Sequence, residues 1–415
     1  MIERITILGG SSVYTPEFIA SVISNNLNVK EIVLFGREGD KLTTVVEFCR
    51  RLIKRSGFPA TITGSTNLEE AVTGARYVLN HIRVGGMKAR VRDEKLPPTA
   101  GMIGDESLGG GGFANAMRTI PVVLDFAKRI EKVNPDCTLI NLTNPMGIVV
   151  EALIKHSSLN VIGVCDLPGT YVKKIADILN RPQSELFIDY IGLNHMGWIQ
   201  DVRIDKQSCM SKVLDKIEGY KNDGFDYELI DLFRMIPTRT VSLYFHFDKI
   251  LKEQKNCTQF RAEVLHEAEK QILKLYKNKK LCEIPSETRE RNTVWYEETI
   301  IPLIKALESN TKHDLILCVR NDGAIRDLPE DCSVEVPCRV SENGLKTRRV
   351  GNCPHFLKGL FVAVKESDRR TIEAALHQSY ECALQALTIN PLVPSLDSAK
   401  RFLDLLIKQE KLKLH

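Results

Sequence analysis

Two positions about thirty residues apart carry most of the chemistry of this chain: Cys165, followed at once by Asp166, and His195, which ends Gly192-Leu-Asn-His195. Each follows an apolar stretch. A thiolate and an imidazole can share a divalent metal, and two protein ligands leave positions open for substrate oxygens, as a Lewis acid needs and a structural zinc does not. Spacing alone favours a buried cysteine and a hydrogen-bonded core histidine over a shared metal. Asp166 can act as a general acid, since an adjoining thiolate in a closed site would raise its pKa, or can cap the helix before Leu167-Pro168. Arg90 and Arg261 suit an anionic substrate, because a planar guanidinium gives phosphate two hydrogen bonds; the other reading for each is a surface ion pair.

These residues need a scaffold, and the first half of the chain reads as one. Residues 2 to 8 are an apolar run ending at Gly9-Gly10-Ser11-Ser12, and Thr15-Pro16-Glu17 then offers an N-cap, an early proline and an acid in the first turn of a helix. Backbone N–H groups at Gly9, Gly10, Ser11 and Ser12 suit a pyrophosphate, although the G-x-G-x-x-G pattern is absent and an ordinary strand-to-helix turn fits as well. Further strands are expected at Glu31–Gly36, Tyr77–His81 and Thr138–Thr143, with helices between them. That alternation predicts a doubly wound parallel sheet with ligands at the carboxyl ends of its strands, where Arg83-Val-Gly-Gly86, Asn141-Leu-Thr-Asn144-Pro145 and Cys165 all fall. The end of the second strand should carry an acid for the adenosine ribose, but reads Gly36-Arg37. Arg37 either receives a ribose phosphate or is a solvated surface residue, so NAD and NADP both stay open. Gly104–Phe113 is rich enough in glycine to predict a loop or lid. After residue 200 helical patterns dominate, at 213–234, 258–280 and 369–387. The expected division is a Rossmann-like nucleotide-binding domain at 1–168 and a mixed, mainly helical α+β domain at 169–415 for metal, substrate and oligomer contacts.

Length and composition narrow the class. With 415 residues, 43% hydrophobic, the chain can bury two cores. A net charge of +4 with interspersed signs predicts no nucleic-acid face. No apolar run is long enough to span a membrane, and Met1-Ile-Glu-Arg-Ile-Thr-Ile lacks the pattern of an export signal. The 11 cysteines are scattered singly. A reduced, cytoplasmic protein is expected.

Seven segments in order, Gly9–Glu17, Arg83–Gly86, Arg118–Pro121, Asn141–Pro145, Cys165–Pro168, Gly192–His195 and Arg320–Gly323, resemble glycoside hydrolase family 4 over nearly the whole chain. The resemblance implies a lactate/malate dehydrogenase-like fold, a nicotinamide cofactor and manganese or another divalent metal, and the family's NAD-dependent route is a known exception to two-carboxylate glycosidases. It implies hydride transfer from C3 of a 6-phosphosugar to the cofactor, loss of the C2 proton, elimination of the C1 group, addition of water and return of the hydride. By the same resemblance Cys165 and His195 match the metal ligands, Asp166 the acid for the leaving group, and Arg90, Asn144 and Arg261 the phosphosugar contacts, in a homodimer or homotetramer. Cys followed by Asp, with Asn194-His-Met-Gly-Trp198, is more similar to 6-phospho-α-glucosidases than to 6-phospho-β-glucosidases. Thr240 stands where the family carries a tyrosine base. A threonine hydroxyl is too weak an acid to replace a tyrosinate, so Tyr244, one turn later, is the expected substitute, with a metal-bound hydroxide as a further candidate. The competing functions are a 2-hydroxy-acid dehydrogenase and a binding protein without turnover.

Overall fold

A computed structural model describes residues 1–220, 224–291 and 295–415. The apolar runs of the first half form six strands, β1 (Ile2–Leu8), β2 (Val29–Phe35), β3 (Thr61–Ser65), β4 (Tyr77–Asn80), β5 (Thr138–Asn141) and β6 (Asn160–Gly163). All are parallel, in the spatial order 3-2-1-4-5-6 of a doubly wound sheet. β4 and β5 are buried at every residue, which is why they read as continuous apolar runs without alternation. Helices α1 (Thr15–Ser24), α2 (Asp40–Ser56), α3 (Leu68–Val72), α4 (Gly86–Thr99), α5 (Gly109–Val133) and α6 (Met146–His156) connect them, and α7 (Asp166–Leu179) follows β6.

The sheet runs unbroken past residue 168, where the expected division falls. What changes there is the pairing. β7 (Phe187–Leu193), β8 (Met196–Ile204), β9 (Gln207–Ser208), β10 (Ile236–Pro237), β11 (His313–Arg320), β12 (Ser333–Ser341) and β13 (Gly344–Thr347) extend the sheet antiparallel from β6 in the order β11, β12, β7, β8, β10. The helical stretch expected at 258–280 contains the helix Arg261–Tyr276. The one at 369–387 is divided between helices His355–His377 and Tyr380–Ile389 by Gln378, at φ 52°. The one at 213–234 divides between Met210–Ile217 and Tyr227–Phe233, with residues 221–223 outside the described residues. Among the described residues no helix is long and apolar enough to cross a membrane.

Two local expectations are corrected. Thr15 does not cap α1: Tyr14 holds the cap position, and Thr15 lies buried inside the helix with no hydrogen-bond partner for its hydroxyl among the described residues. The glycines at 109–112 are not a loop but the first turn of α5. They are needed for close packing, because a Cβ on Gly111 would stand 2.1 Å from the Asp105 carbonyl oxygen and one on Gly112 2.4 Å from the Ser107 carbonyl carbon. Only Gly104–Leu108 remains outside regular structure.

The helix His355–His377 is anchored to α6 and β12 by a buried ion pair. Lys365, 1% exposed, donates to Glu151 on α6 at 2.8 Å and to the Ser333 hydroxyl on β12 at 3.1 Å, and Ser333 in turn donates to the Gly147 carbonyl at the start of α6. Burial would raise the Glu151 carboxyl, but Lys365, with help from Lys155, draws it below its usual range. Such a pair stabilises little relative to apolar packing, yet removing Lys365 leaves the buried Glu151 carboxylate with only Lys155 and Arg369, at 3.3 and 3.4 Å, to offset its charge. Lys365→Met should therefore lower unfolding stability by about 3–5 kcal/mol in urea titrations, and adding Glu151→Leu should restore much of that loss. A loss under about 1 kcal/mol in the single variant would show that Glu151 is neutralised by its other partners.

Candidate active site

The carboxyl ends of the parallel strands carry the residues singled out in the sequence. Gly9 and Gly10 donate backbone hydrogen bonds to Phe35 O at 3.0 and 2.8 Å, which ties the first turn to the end of β2. A side chain on either would collide with backbone, at 2.6 Å from the His81 carbonyl oxygen or 2.7 Å from Leu34 Cα. The turn is thus wedged between β2 and β4 and leads directly into α1. Ser11 and Ser12 complete it, the Ser12 hydroxyl accepting from Tyr14 N at 3.3 Å. Arg83, expected at the cofactor, is ion-paired with Glu106. Arg37 is exposed at the end of β2.

Cys165 ends the turn after β6 and Asp166 is the first residue of α7. Asp166 therefore follows the N-cap position rather than occupying it, and the Cys165 thiol donates weakly to its Oδ1 at 3.7 Å. His195 sits in the two-residue turn between β7 and β8 at φ 63°, a conformation that non-glycine residues rarely adopt. Two side chains hold the turn. Asn194 donates to Glu335 Oε1 on β12 at 3.0 Å, and Thr240 donates to the His195 carbonyl at 2.7 Å. Glu335, 1% exposed, also accepts from the Tyr190 hydroxyl at 2.5 Å.

Cys165, Asp166, His195 and Asn144 line one small cavity together with His81, Arg291 and Trp295, and it adjoins a larger one of about 860 Å³ that shares Asp166, His195, Asn144 and Arg291. The separation of the two candidate metal ligands in sequence is thus closed by the fold. Burial, then the charges of Glu335 and Asp166, pushes the Cys165 thiol well above its usual range. Burial lowers the His195 pKa against the opposing pull of Asp105 and Asp166, leaving a neutral imidazole whose buried Nδ1 has no partner among the described residues. An unpaired acceptor-capable nitrogen, a thiol and a surplus of negative charge fit a divalent cation, which would ionise the thiol and satisfy the nitrogen. Among the described residues no three His, Cys, Asp or Glu side chains are arranged to hold a metal, so a cation here would take Cys165 and His195 and leave its other positions to substrate and water.

The larger cavity brings Arg90 and Arg261 together from distant segments. Arg90, on α4, lies between Glu94 at 2.9 Å and Glu106 at 3.1 Å. Glu94 also accepts from Ala262 N at 2.8 Å, which docks the start of the helix Arg261–Tyr276 against α4. Arg261 is paired with Glu290 at 2.5 Å. Both arginines are therefore already engaged with carboxylates. Arg291, which the sequence reading missed, is different: its guanidinium lies 5.2 Å from the Tyr14 ring centroid and 5.1 Å from that of Trp295, with no hydrogen bond or ion pair to any described residue. In Arg289-Glu290-Arg291 nothing separates it from a solvated charge run. Glu335 was missed too, although an acid inside Val334-Glu-Val-Pro-Cys338 is a visible break in an apolar strand.

Tyr244, the expected base, is not in this cavity. It lines a separate one of about 20 Å³ with Phe113, Val364 and Asp368, and burial, then the charges of Asp368 and Asp105, pushes its phenol well above the usual range. The one-turn displacement from Thr240 directs it away from the site and disfavours the tyrosinate that a base must be.

Burial, opposed by the Tyr190 and Asn194 hydrogen bonds, raises the Glu335 pKa from 4.5 to about 7. Because folding raises this pKa, its stabilisation is full below pH 4.5 and is lost as pH rises through 7. Relative to Glu335→Gln, the metal-free wild type should lose roughly 3 kcal/mol between pH 4.5 and 7.5. Parallel stability–pH curves for the two proteins in urea would contradict this.

Comparison with known proteins gives the family. Residues 4–181 match the model of family 4 glycosyl hydrolases, and residues 190–393 match that of the family 4 glycosyl hydrolase C-terminal domain. The chain is 34% identical to a probable 6-phospho-beta-glucosidase of Bacillus subtilis (98% of this chain, 96% of the relative) and 33% identical to the maltose-6'-phosphate glucosidase of Fusobacterium mortiferum (98% and 97%). It superposes with a TM-score of 0.91 and 31% identity on the Thermotoga maritima 6-phospho-beta glucosidase solved with manganese, NAD+ and glucose-6-phosphate, covering 100% of both chains. A likeness to the malate dehydrogenase of Cryptosporidium parvum, TM-score 0.54 at 15% identity over 91% of this chain and 99% of that one, shows the fold. The chain belongs to glycosyl hydrolase family 4.

Proposed function

We propose that this protein hydrolyses 6-phospho-glucosides, α-linked ones in preference, by oxidation at C3, elimination, addition of water and re-reduction, as a homo-oligomer in the reducing cytoplasm. The observation that carries the reading is the convergence of Cys165, His195 and Asp166 with arginines on adjoining cavities. When bound, a nicotinamide dinucleotide, which in the Thermotoga maritima relative is NAD+, would take up and return the hydride while a divalent cation polarises the oxidised sugar. Cys165 and His195 hold the cation. Asp166, in the wall of both cavities, protonates the leaving-group oxygen. Asn144, Arg90 and Arg261 contact the phosphosugar, and Arg291, which makes no hydrogen bond or ion pair with a described residue and lies beside two aromatic rings, adds a further cation that a phosphate attracts.

Proton removal at C2 falls to a group other than a tyrosine. The Thr240 hydroxyl is committed to the His195 carbonyl, and Tyr244 faces another cavity. Asp105, which lines the site and whose pKa burial raises, is our assignment. All 11 cysteines are free thiols, in keeping with a reducing compartment. Exposed Leu232, Phe245 and Phe356, with Phe233 stacked on Phe356, offer an apolar face for subunit contact.

Metal-stripped protein incubated in D2O with 4-nitrophenyl 6-phospho-α- and β-glucosides tests the proposal. Nitrophenol should appear only with manganese and cofactor together, and NMR should find deuterium at C2 of the glucose 6-phosphate. Asp105→Asn should reduce kcat on these substrates by roughly 100-fold or more and Tyr244→Phe by less than about threefold, whereas Asp166→Asn should show a loss of about 100-fold only on a 6-phosphorylated disaccharide, whose leaving group needs the proton. Release without cofactor, or accumulation of one reduced cofactor per sugar, would overturn the proposal; the latter is the signature of a dehydrogenase.

A further inference from the structure

We infer that the cofactor cleft of this chain recognises a 2'-phosphorylated dinucleotide, NADP, through Gly36 and Arg37. The inference rests on the proposed function only in assuming that a nicotinamide dinucleotide lies along the strand ends. In a sheet of this order the residue ending β2 faces the adenosine ribose, where a carboxylate would accept hydrogen bonds from both ribose hydroxyls and repel a phosphate on the 2' oxygen. The structure fixes Gly36 at that place: β2 pairs with β1 through Leu8 and Phe35, and the glycine turn that would take the pyrophosphate donates twice to the Phe35 carbonyl. Gly36 is buried and presents no carboxylate. A Cβ there would stand 3.4 Å from the Ser11 hydroxyl oxygen and 3.2 Å from Leu42 Cδ1, so the first and second turns meet at this spot.

Arg37 follows at once. It is exposed and makes no hydrogen bond or ion pair with any described residue, whereas its basic neighbour Lys41 is paired with Glu269. A guanidinium without a competing carboxylate, beside a position stripped of the acid, favours a dianionic phosphate twice over: the repulsion is gone and a two-pronged donor is in reach. The competing assignment is Glu38, exposed one residue further on, which would take the ribose hydroxyls instead and select NAD.

Isothermal titration of the full chain with adenosine 2',5'-bisphosphate and 5'-AMP, then with NADP+ and NAD+, separates these. The bisphosphate should bind at least about tenfold tighter than 5'-AMP at low salt. Arg37→Ala should remove that advantage while leaving 5'-AMP affinity unchanged, and Gly36→Asp should invert it. Equal binding of the two nucleotides by the wild type, or an advantage that survives in Arg37→Ala, would overturn the inference. If NAD+ binds and NADP+ does not, this inference alone fails; if neither dinucleotide binds, the proposed function fails with it.

Discussion

A buried carboxylate, Glu335, organises the chemistry of this molecule. It lies on β12, the strand that joins β7 to the rest of the sheet, and its two oxygens accept from Tyr190 and Asn194, on and just beyond β7. Those bonds fix the turn that carries His195 in a left-handed conformation, and Thr240 holds the same turn from the other side through the His195 carbonyl. A left-handed non-glycine residue persists only where its surroundings over-determine it, and these bonds do so here. The parallel half of the sheet delivers Cys165 at the end of β6, the antiparallel half delivers His195, and β11 and β12 set the distance between the two. The continuous sheet across the expected domain boundary therefore sets the separation of the two candidate metal ligands. In its ionised form the same carboxylate places negative charge beside Cys165.

The opposite wall works by balanced charge. Burial would raise the Glu106 carboxyl, but Arg83, Arg90 and Arg291 hold it well below its usual range. Arg90 is in turn shared between Glu106 and Glu94, and Glu94 draws in the backbone that bears Arg261. Arginines that keep carboxylate partners are positioned but partly neutralised; Arg291, whose charge also acts on Glu106, makes no direct ion pair with a described residue and is the cation we propose for a phosphate. This arrangement costs less than a cluster of bare cations in a concave, poorly solvated wall, and it keeps the guanidinium planes oriented before binding.

Much of this was legible in the sequence because period and turn chemistry are local. The strand runs, the first glycine turn and the doubly wound alternation follow from residues adjacent in the chain, and Cys165, Asp166 and His195 announce themselves by type. The reading went astray where one segment's conformation depends on another's backbone. Gly109–Gly112 look like a loop until the Asp105 carbonyl is seen to occupy the place of a Cβ, and Tyr244 looks like a substitute for the tyrosine missing at 240 until the helix turn is seen to aim it at Asp368. Arg291 carries no local signal at all; its significance comes from the rings of Tyr14 and Trp295, one of them nearly 280 residues away in sequence. Arg83 illustrates the converse, a residue at the right end of the right strand that is held by Glu106.

That Cys165 and His195 jointly hold a divalent cation is the claim on which the rest turns, and cobalt reports it without any turnover. Titrating Co2+ into the metal-free protein should produce a near-ultraviolet sulfur-to-metal charge-transfer band that is absent in Cys165→Ser and weakened in affinity by at least about tenfold in His195→Ala. Absence of the band in the wild type, or its persistence in Cys165→Ser, would contradict the assignment of this site.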